Sequence, residues 1–382
     1  MSVVTEVQPI NVLKIIEEGR VGGPQMDILR TTPILIREGI KVSVVIPDKG
    51  SRKFQILLSN ASIPVYLASL TRPGKNFLQI FRYVLNLIPE IFQLAKLIRQ
   101  VNPEVIHVGG GSWQVKGVIS GWMCRKKVIW HLNDTSTPKL VRAVFSLLRQ
   151  IPDGFICAGV QVQHYYLPDS SDKMVEVIHS TVDCEEFKPT EQSYDLSDKT
   201  PMIVTVGNIG PVKGIEVFLQ AINKTKACVD VTARVVGEQL DSQRNYTSGL
   251  RKFIQEHELK EYIVFGWTDD VVSELQSADI YVCTSWFEAS PTAVWEAMAV
   301  GLPVVSTDVG DVKDFVVNGV SGYVVPVGDS NAVAERIIYL LNNPKHAKKI
   351  GEKAREIVLE HMDVSHIAKQ HLQLYRKVVQ QQ

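Results

Sequence analysis

Short apolar runs recur along the first half of the chain, separated by longer stretches of helical periodicity: NVLKII, KVSVVIP, PVYLAS, EVIHVGG, KVIWHLN, GFICAG and VEVIHS. The second half repeats the alternation with MIVTVGN, VTARVVG, YIVFGW, DIYVCTS, PVVSTD and GYVVPV. Most of these runs are continuous Val and Ile rather than alternating apolar and polar, which predicts parallel strands covered on both faces. With helices between them they form βαβ units, so the expected fold is α/β: two doubly wound, Rossmann-like domains facing each other across a cleft. The polar, breaker-rich segment DCEEFKPTEQSYDLSDKT, residues 183–200, marks the boundary. We therefore expect a first domain over 1–190 and a second over 191–362. The closing segment, 363–382, reads as an amphipathic helix with Asp363 as N-cap, packing back on the first domain.

Composition narrows the function. Lys+Arg and Asp+Glu both number 41 in 382 residues, so no global field exists to hold nucleic acid. The five cysteines are scattered without metal-ligand spacing, and three lie in or beside apolar runs, as reduced buried thiols do. The N-terminus lacks a basic start followed by a long apolar core, and no apolar run approaches the roughly 20 residues that span a bilayer. A cytoplasmic location is expected. The segment NFLQIFRYVLNLIPEIFQLAKLIRQV, residues 76–101, is unusually apolar, with Arg82, Lys96 and Arg99 interspersed and Pro89 as a break. Two packed helices covering a sheet are the expectation; peripheral contact with the inner face of a membrane, meeting a lipid-linked acceptor, is the alternative.

Open α/β sheets bind ligands beyond the carboxyl ends of their strands, so chemistry is sought in the loops that follow them. Gly22 and Gly23, ahead of Pro24, follow the first strand, where glycine lets backbone approach a ligand and a helix N-terminus favours an anion. His131 ends KVIWHLN beside Asn133 and Asp134, placed to bond a sugar hydroxyl or manage a proton. His107, in EVIHVGG, is a secondary candidate of the same kind. Lys213, in GNIGPVKG, stands at a helix start with Gly214 behind it, a phosphate site by charge and geometry. In WFEASPTAVWE, Ser290 is the expected N-cap and Pro291 the first helical residue, leaving Glu288 in the loop ahead. Glu296 then lies about five residues inside, roughly 7.5 Å along the axis. Two carboxylates flanking the free N–H groups of a first turn suit a nucleotide sugar, with hydroxyls at both ends of a diphosphate.

FEASPTAVWEAMAVGLPVVSTDVGDVKDFVVNGVSGYVVPVGD resembles the E-x7-E signature region of glycosyltransferase family 4, retaining enzymes of the GT-B fold. The resemblance extends over nearly the whole chain, through the GG turn, His131, VDCEEFKP, the VKG loop and VFGWTDDVVSELQSADIYVCTS. It implies that Glu288 faces the donor sugar, Glu296 binds the ribose hydroxyls, Lys213 holds the diphosphate and His131 sits at the donor–acceptor junction. Asn208, Trp267 and the Ser290-Pro291-Thr292 turn complete the expected donor-binding set. The chain departs from the pattern at Asn208, where arginine is usual, at Ala289 and Asp311, where glycines are usual, and in STVD at the linker. Losing that arginine removes one of two cations expected on the diphosphate.

No D-x-D pair ends a strand, so neither a divalent metal nor a resident cofactor is expected; Lys213 and helix N-termini must stabilise the leaving nucleoside diphosphate. The expected activity is transfer of a sugar from a nucleoside-diphosphate donor to a hydroxyl of a glycan, lipid-linked or small-molecule acceptor, with retention. Rival readings are a nucleotide-sugar epimerase and a catalytically silent nucleotide-sugar-binding subunit.

Overall fold

A computed structural model describes residues 9–74, 77–168, 173–190 and 200–380; most of the 191–200 part of the expected linker lies outside them. The chain divides into two compact units, one of residues 1–181 with 364–382 and the other of 182–363. The sequence reading places the division slightly later, in the polar stretch that follows Val182. Val182 N–H donates to Met362 O at 2.9 Å, which ties the first residue of the second unit to its last helix.

The first unit holds a seven-stranded sheet in the order β3-β2-β1-β4-β5-β6-β7, every neighbour parallel. Its strands are β1 Asn11–Ile16, β2 Lys41–Pro47, β3 Val65–Ala68, β4 Val105–Gly109, β5 Lys127–Leu132, β6 Gly154–Cys157 and β7 Met174–Val177. The second unit holds six parallel strands in the order β10-β9-β8-β11-β12-β13. These are β8 Met202–Val206, β9 Thr232–Val236, β10 Ile263–Gly266, β11 Ile280–Cys283, β12 Val304–Thr307 and β13 Tyr323–Val325. Each of the thirteen runs read as strands from the sequence is a strand, and most strand interiors are buried, as two-sided cover by helices requires. Each sheet reverses its strand order once, between β1 and β4 and between β8 and β11. Those switch points are where doubly wound sheets open a crevice for ligands.

Two expectations are corrected. Residues 77–101 form one helix, Phe77–Val101, with Pro89 inside it, rather than two helices broken there; Asn76 lies outside the described residues. Only its second half is covered, at Ile91, Leu94, Ala95 and Ile98, where it packs against the Val115–Met123 helix. The first half leaves Phe77, Leu78, Phe81, Val84, Leu85 and Ile88 in solvent, the first of them 78% exposed. The closing helix, Val364–Gln380, packs against the Gly23–Arg37 helix and buries Ile367, His371, Leu374, Tyr375 and Val378. All five cysteines are free thiols, with Cys157, Cys184 and Cys283 buried.

Candidate functional site

In the second unit the crevice is built by two loops. After β8 the chain makes a 3-10 turn, Pro211–Lys213, and Gly214 follows at φ 58°. A Cβ at Gly214 would stand 2.1 Å from Thr284 O, so both the left-handed backbone and the close approach require glycine. Lys213 thus precedes the Ile215–Lys226 helix on a separate turn, a correction to its expected place at the helix start. The loop after β11 clasps this turn: Trp286 N–H donates to Val212 O at 2.8 Å and Thr284 Oγ1 to Lys213 O at 3.2 Å.

The side chains meet as the backbones do. Lys213 Nζ lies 2.5 Å from Glu288 Oε1, and Ser285 Oγ donates to the same oxygen at 2.8 Å. Burial opposes charge on Lys213, but the ion pair and hydrogen bond with Glu288 outweigh it and hold the ammonium above its usual pKa. With Thr205, Cys283 and Pro291 these residues line a cavity of about 20 Å³. Gly310, at φ 55°, packs against the carbonyls of Glu288 and Ala289, where a Cβ would come within 2.2 Å of Ala289 O. Asp311 N–H donates to Ala289 O at 3.2 Å. The loop carrying Glu288 is therefore held from both sides by backbone.

Ser290 is not the N-cap expected of it. The helix runs Thr292–Ala299 with Pro291 at the cap position, and Ser290 Oγ accepts the indole N–H of buried Trp295 at 3.0 Å. A tryptophan in the first turn reaches back for the hydroxyl, because a buried indole donor needs a partner. Glu296 is on this helix and only 8% exposed. Its charge adds, after burial and the charges of Cys283 and Glu288, to holding the Tyr281 phenol proton. Asn208 is exposed on the loop after β8, so the position where arginine is usual carries no cation. Trp267, 56% exposed, leaves the edge strand β10, two strands from β8, and does not line the cavity. Sequence reasoning missed Glu216: Trp286 Nε1 donates to its Oε1 at 3.0 Å and the Tyr246 hydroxyl to its Oε2. An acidic residue in a helix's first turn was the signal, and it reads equally as a dipole partner.

Gly22, Gly23 and His131 belong to the first unit. Gly22 caps the Gly23–Arg37 helix in an extended conformation, and a Cβ there would meet only Gln25 Oε1 at 3.5 Å, so local packing does not demand glycine. His131, half-buried at the penultimate position of β5, joins a polar cluster that the sequence reading saw only in part. Its Nδ1 stands 3.3 Å from His107 Nε2, and His107 Nδ1 stands 2.7 Å from the hydroxyl of buried Tyr375. His371 stacks on His107 at 5.6 Å and approaches Asp27 at 3.9 Å. Lys14, in mid-β1, donates to Thr31 Oγ1 and Thr32 Oγ1 at 3.1 and 3.3 Å. Burial lowers Lys14 to about 8 despite Asp27, and raises Asp27 to about 6 despite Lys14. Burial, with the nearby Lys14 charge, drives His131 down to about 3, so its ring is neutral at physiological pH. A lysine inside an otherwise apolar strand was the available sequence signal for this cluster. Among the described residues no group of three or more His, Cys, Asp and Glu side chains is arranged to hold a metal ion.

Comparison with known proteins supplies the wider setting. Aligned over 384 residues, the chain is 26% identical to a phosphatidyl-myo-inositol mannosyltransferase of Mycobacterium leprae, covering 94% of this chain and 93% of that one. It is 26% identical over 214 residues to an N-acetyl-alpha-D-glucosaminyl L-malate synthase of Bacillus anthracis; there the match spans 54% of this chain and only 55% of the relative. The crystal structure of Anabaena Alr3699/HepE in complex with UDP and glucose superposes with a TM-score of 0.83 at 21% identity, covering 96% of this chain and 99% of that one. That likeness establishes the fold as GT-B, with two Rossmann-like domains. Residues 186–357, nearly the whole second unit with its Lys213–Glu288 cavity, match the glycosyl transferases group 1 model.

Proposed function

We propose that the chain transfers a sugar from a nucleoside-diphosphate sugar to a hydroxyl acceptor with retention of configuration. The observation that carries this reading is the Lys213–Glu288 pair at the β8/β11 switch point, inside the unit that matches the family. A cation and a carboxylate brought from separate loops onto one small cavity suit a ligand with an anionic diphosphate and a hydroxylated sugar. In this reading the diphosphate takes the Lys213 ammonium from Glu288, and the freed carboxylate faces the sugar as positive charge develops at its anomeric carbon. Glu296 binds ribose hydroxyls, and His131 serves the donor–acceptor junction. Lys213 carries the phosphate charge without the arginine that Asn208 replaces, and no metal or resident cofactor takes part.

For the acceptor, the reading is a lipid-linked hydroxyl at an anionic membrane. Its support is the uncovered half of the Phe77–Val101 helix together with the Lys139–Leu148 helix, where Leu140 and Leu147 are exposed and only Phe145 is buried. The one acid on either helix, Glu90, is buried, while Arg82, Lys139 and Arg142 are exposed, the charge pattern of a helix lying on anionic lipid. The Mycobacterium leprae relative is named for a phosphatidylinositol acceptor, which accords with this. Among the described residues no helix is long and apolar enough to cross a membrane.

The test is a panel of uridine, guanosine and adenosine diphosphate sugars offered with and without lipid and glycan acceptors. Release of nucleoside diphosphate should require both partners, and the product should keep the donor's anomeric configuration. Donor interconversion without acceptor would identify an epimerase, and donor binding without turnover a silent subunit.

A further inference from the structure

The His131 side chain is one end of a hydrogen-bonded row that begins on the last helix of the chain. Tyr375, on Val364–Gln380, is fully buried, and among the described residues its hydroxyl bonds only to His107 Nδ1, at 2.7 Å. His107, 3% exposed on β4, reaches His131 Nδ1 through Nε2 at 3.3 Å. The His131 side chain makes no other hydrogen bond among the described residues, and it lines a small cavity with Lys14, Pro24, Asp27 and Gly109 at the β1/β4 switch point. Both imidazoles are neutral, because burial and the neighbouring positive charge of Lys14 disfavour protonation. Each ring therefore carries one N–H and one bare nitrogen, and the tautomers must agree along the row.

Only two registers exist. In one, Tyr375 O–H donates to His107 Nδ1, His107 Nε2–H donates to His131 Nδ1, and His131 keeps its proton on Nε2. In the other, His131 Nδ1–H donates to His107 Nε2 and His107 Nδ1–H donates to the phenol oxygen. The second register leaves the phenol proton of a fully buried tyrosine without an acceptor, and an unpaired buried donor costs more than any gain here returns. We propose that Tyr375 and His107 are positioning residues that fix His131 as an Nε2–H donor, so that it gives a hydrogen bond to a ligand oxygen and does not act as a general base.

The surroundings hold the row in place. His371 stacks on His107 at an interplanar angle of 29° and lies 3.9 Å from Asp27, while Lys14 is engaged by Thr31 and Thr32. None of these groups hydrogen-bonds to the row, so among the described residues the phenol is the hydrogen-bonding group that sets its direction. The step involves no bond cleavage; what is set is which nitrogen of His131 bears hydrogen.

The kinetic consequence rests on the glycosyltransferase reading, whereas the tautomer does not, so the two are tested apart. The first experiment is ¹⁵N NMR of the full chain labelled at histidine, with the rings of His131 and His107 assigned through His131→Gln and His107→Gln. His131 should show a protonated Nε2 and a bare Nδ1. A protonated Nδ1 in the unaltered chain would overturn the proposal, whatever the substituted chains do. The second experiment is Tyr375→Phe, which removes one hydroxyl while keeping the ring. The ¹⁵N signature of His131 should move toward the other tautomer, and kcat should fall roughly tenfold while donor KM and Tm stay near those of the unaltered chain. An unchanged His131 signature in Tyr375→Phe would also overturn the relay. If no nucleotide sugar is turned over by the unaltered chain, the functional reading fails while the NMR result still decides the tautomer.

Discussion

At the scale of single residues, Lys213 and Glu288 neutralise each other at 2.5 Å, so each is held ready by the other. If Lys213 holds the diphosphate as proposed, Lys213→Ala removes a charge-assisted contact that strengthens as the leaving group gains charge. A fall in kcat/KM of at least about tenfold, equivalent to roughly 1.4 kcal/mol, is expected in steady-state assays. Unchanged kinetics would place the phosphate elsewhere. The two glutamates should differ. In the proposed reading Glu288 faces developing charge and Glu296 a remote ribose, so Glu288→Gln should mainly lower kcat and Glu296→Gln mainly raise donor KM. If both variants lost only kcat, or only donor affinity, the assignment of roles would be wrong even with the family correct. Melting curves matched to the unaltered chain would show that neither substitution disturbs the fold.

Elements are joined in the first unit by a buried ion cluster that the mechanism does not use. Lys116, in the Val115–Met123 helix, is 2.6 Å from Glu90 in the long amphipathic helix and 3.1 Å from Glu17 at the exit of β1. Glu17 Oε1 also accepts the Lys116 N–H at 3.2 Å. One ammonium faces two carboxylates out of water, and burial, only partly offset by Lys116, pushes Glu17 up to about 7. The folded chain thus binds this proton more tightly than the unfolded chain, whose carboxyl titrates near 4.5. Stability from this site is full below about pH 4.5 and is lost as pH rises through about 7. Glu17→Gln mimics the protonated form at every pH. Urea unfolding should find it matched with the unaltered chain near pH 4.5 and more stable at pH 8, by on the order of 2–3 kcal/mol. A less stable variant at pH 8 would show that the Glu17 charge supports the fold.

For the molecule as a whole, the predictions concern its partners. Anionic vesicles should sediment the chain and neutral vesicles should not. Phe81→Glu with Leu85→Glu removes two side chains whose burial in lipid is each worth about 1.5–3 kcal/mol, so the bound fraction should fall severalfold while turnover of a soluble acceptor persists. Equal sedimentation of this double variant would free the exposed helix from any role at lipid. Turnover should also survive EDTA, because the proposed phosphate site relies on Lys213 and helix N-termini. Complete loss in chelator, restored by magnesium or manganese, would contradict that.

The strands were legible because each is a local signal: a segment covered on both faces by helices carries few polar residues, so Val and Ile runs such as KVSVVIP and DIYVCTS mark it directly. Helix breaks were legible only in part. Gly301, at φ 82°, stands just past the Val300 cap of the Thr292–Ala299 helix, where glycine is the common helix stop, whereas Pro89 interrupts nothing. Which half of the Phe77–Val101 helix is covered, and which residue answers the Trp295 indole, depend on what stands opposite, and periodicity carries no such information. The pairs that define the candidate sites are more distant still: Lys213 with Glu288 across 75 residues, and His107 with Tyr375 across 268. The sequence by itself determined the parallel α/β architecture and which loops bear reactive side chains, since burial and loop chemistry act within a few residues. Only the tertiary structure decided which of those side chains meet, because strand order at β1/β4 and β8/β11, and the return of the last helix to the first sheet, bring together segments that the chain keeps apart.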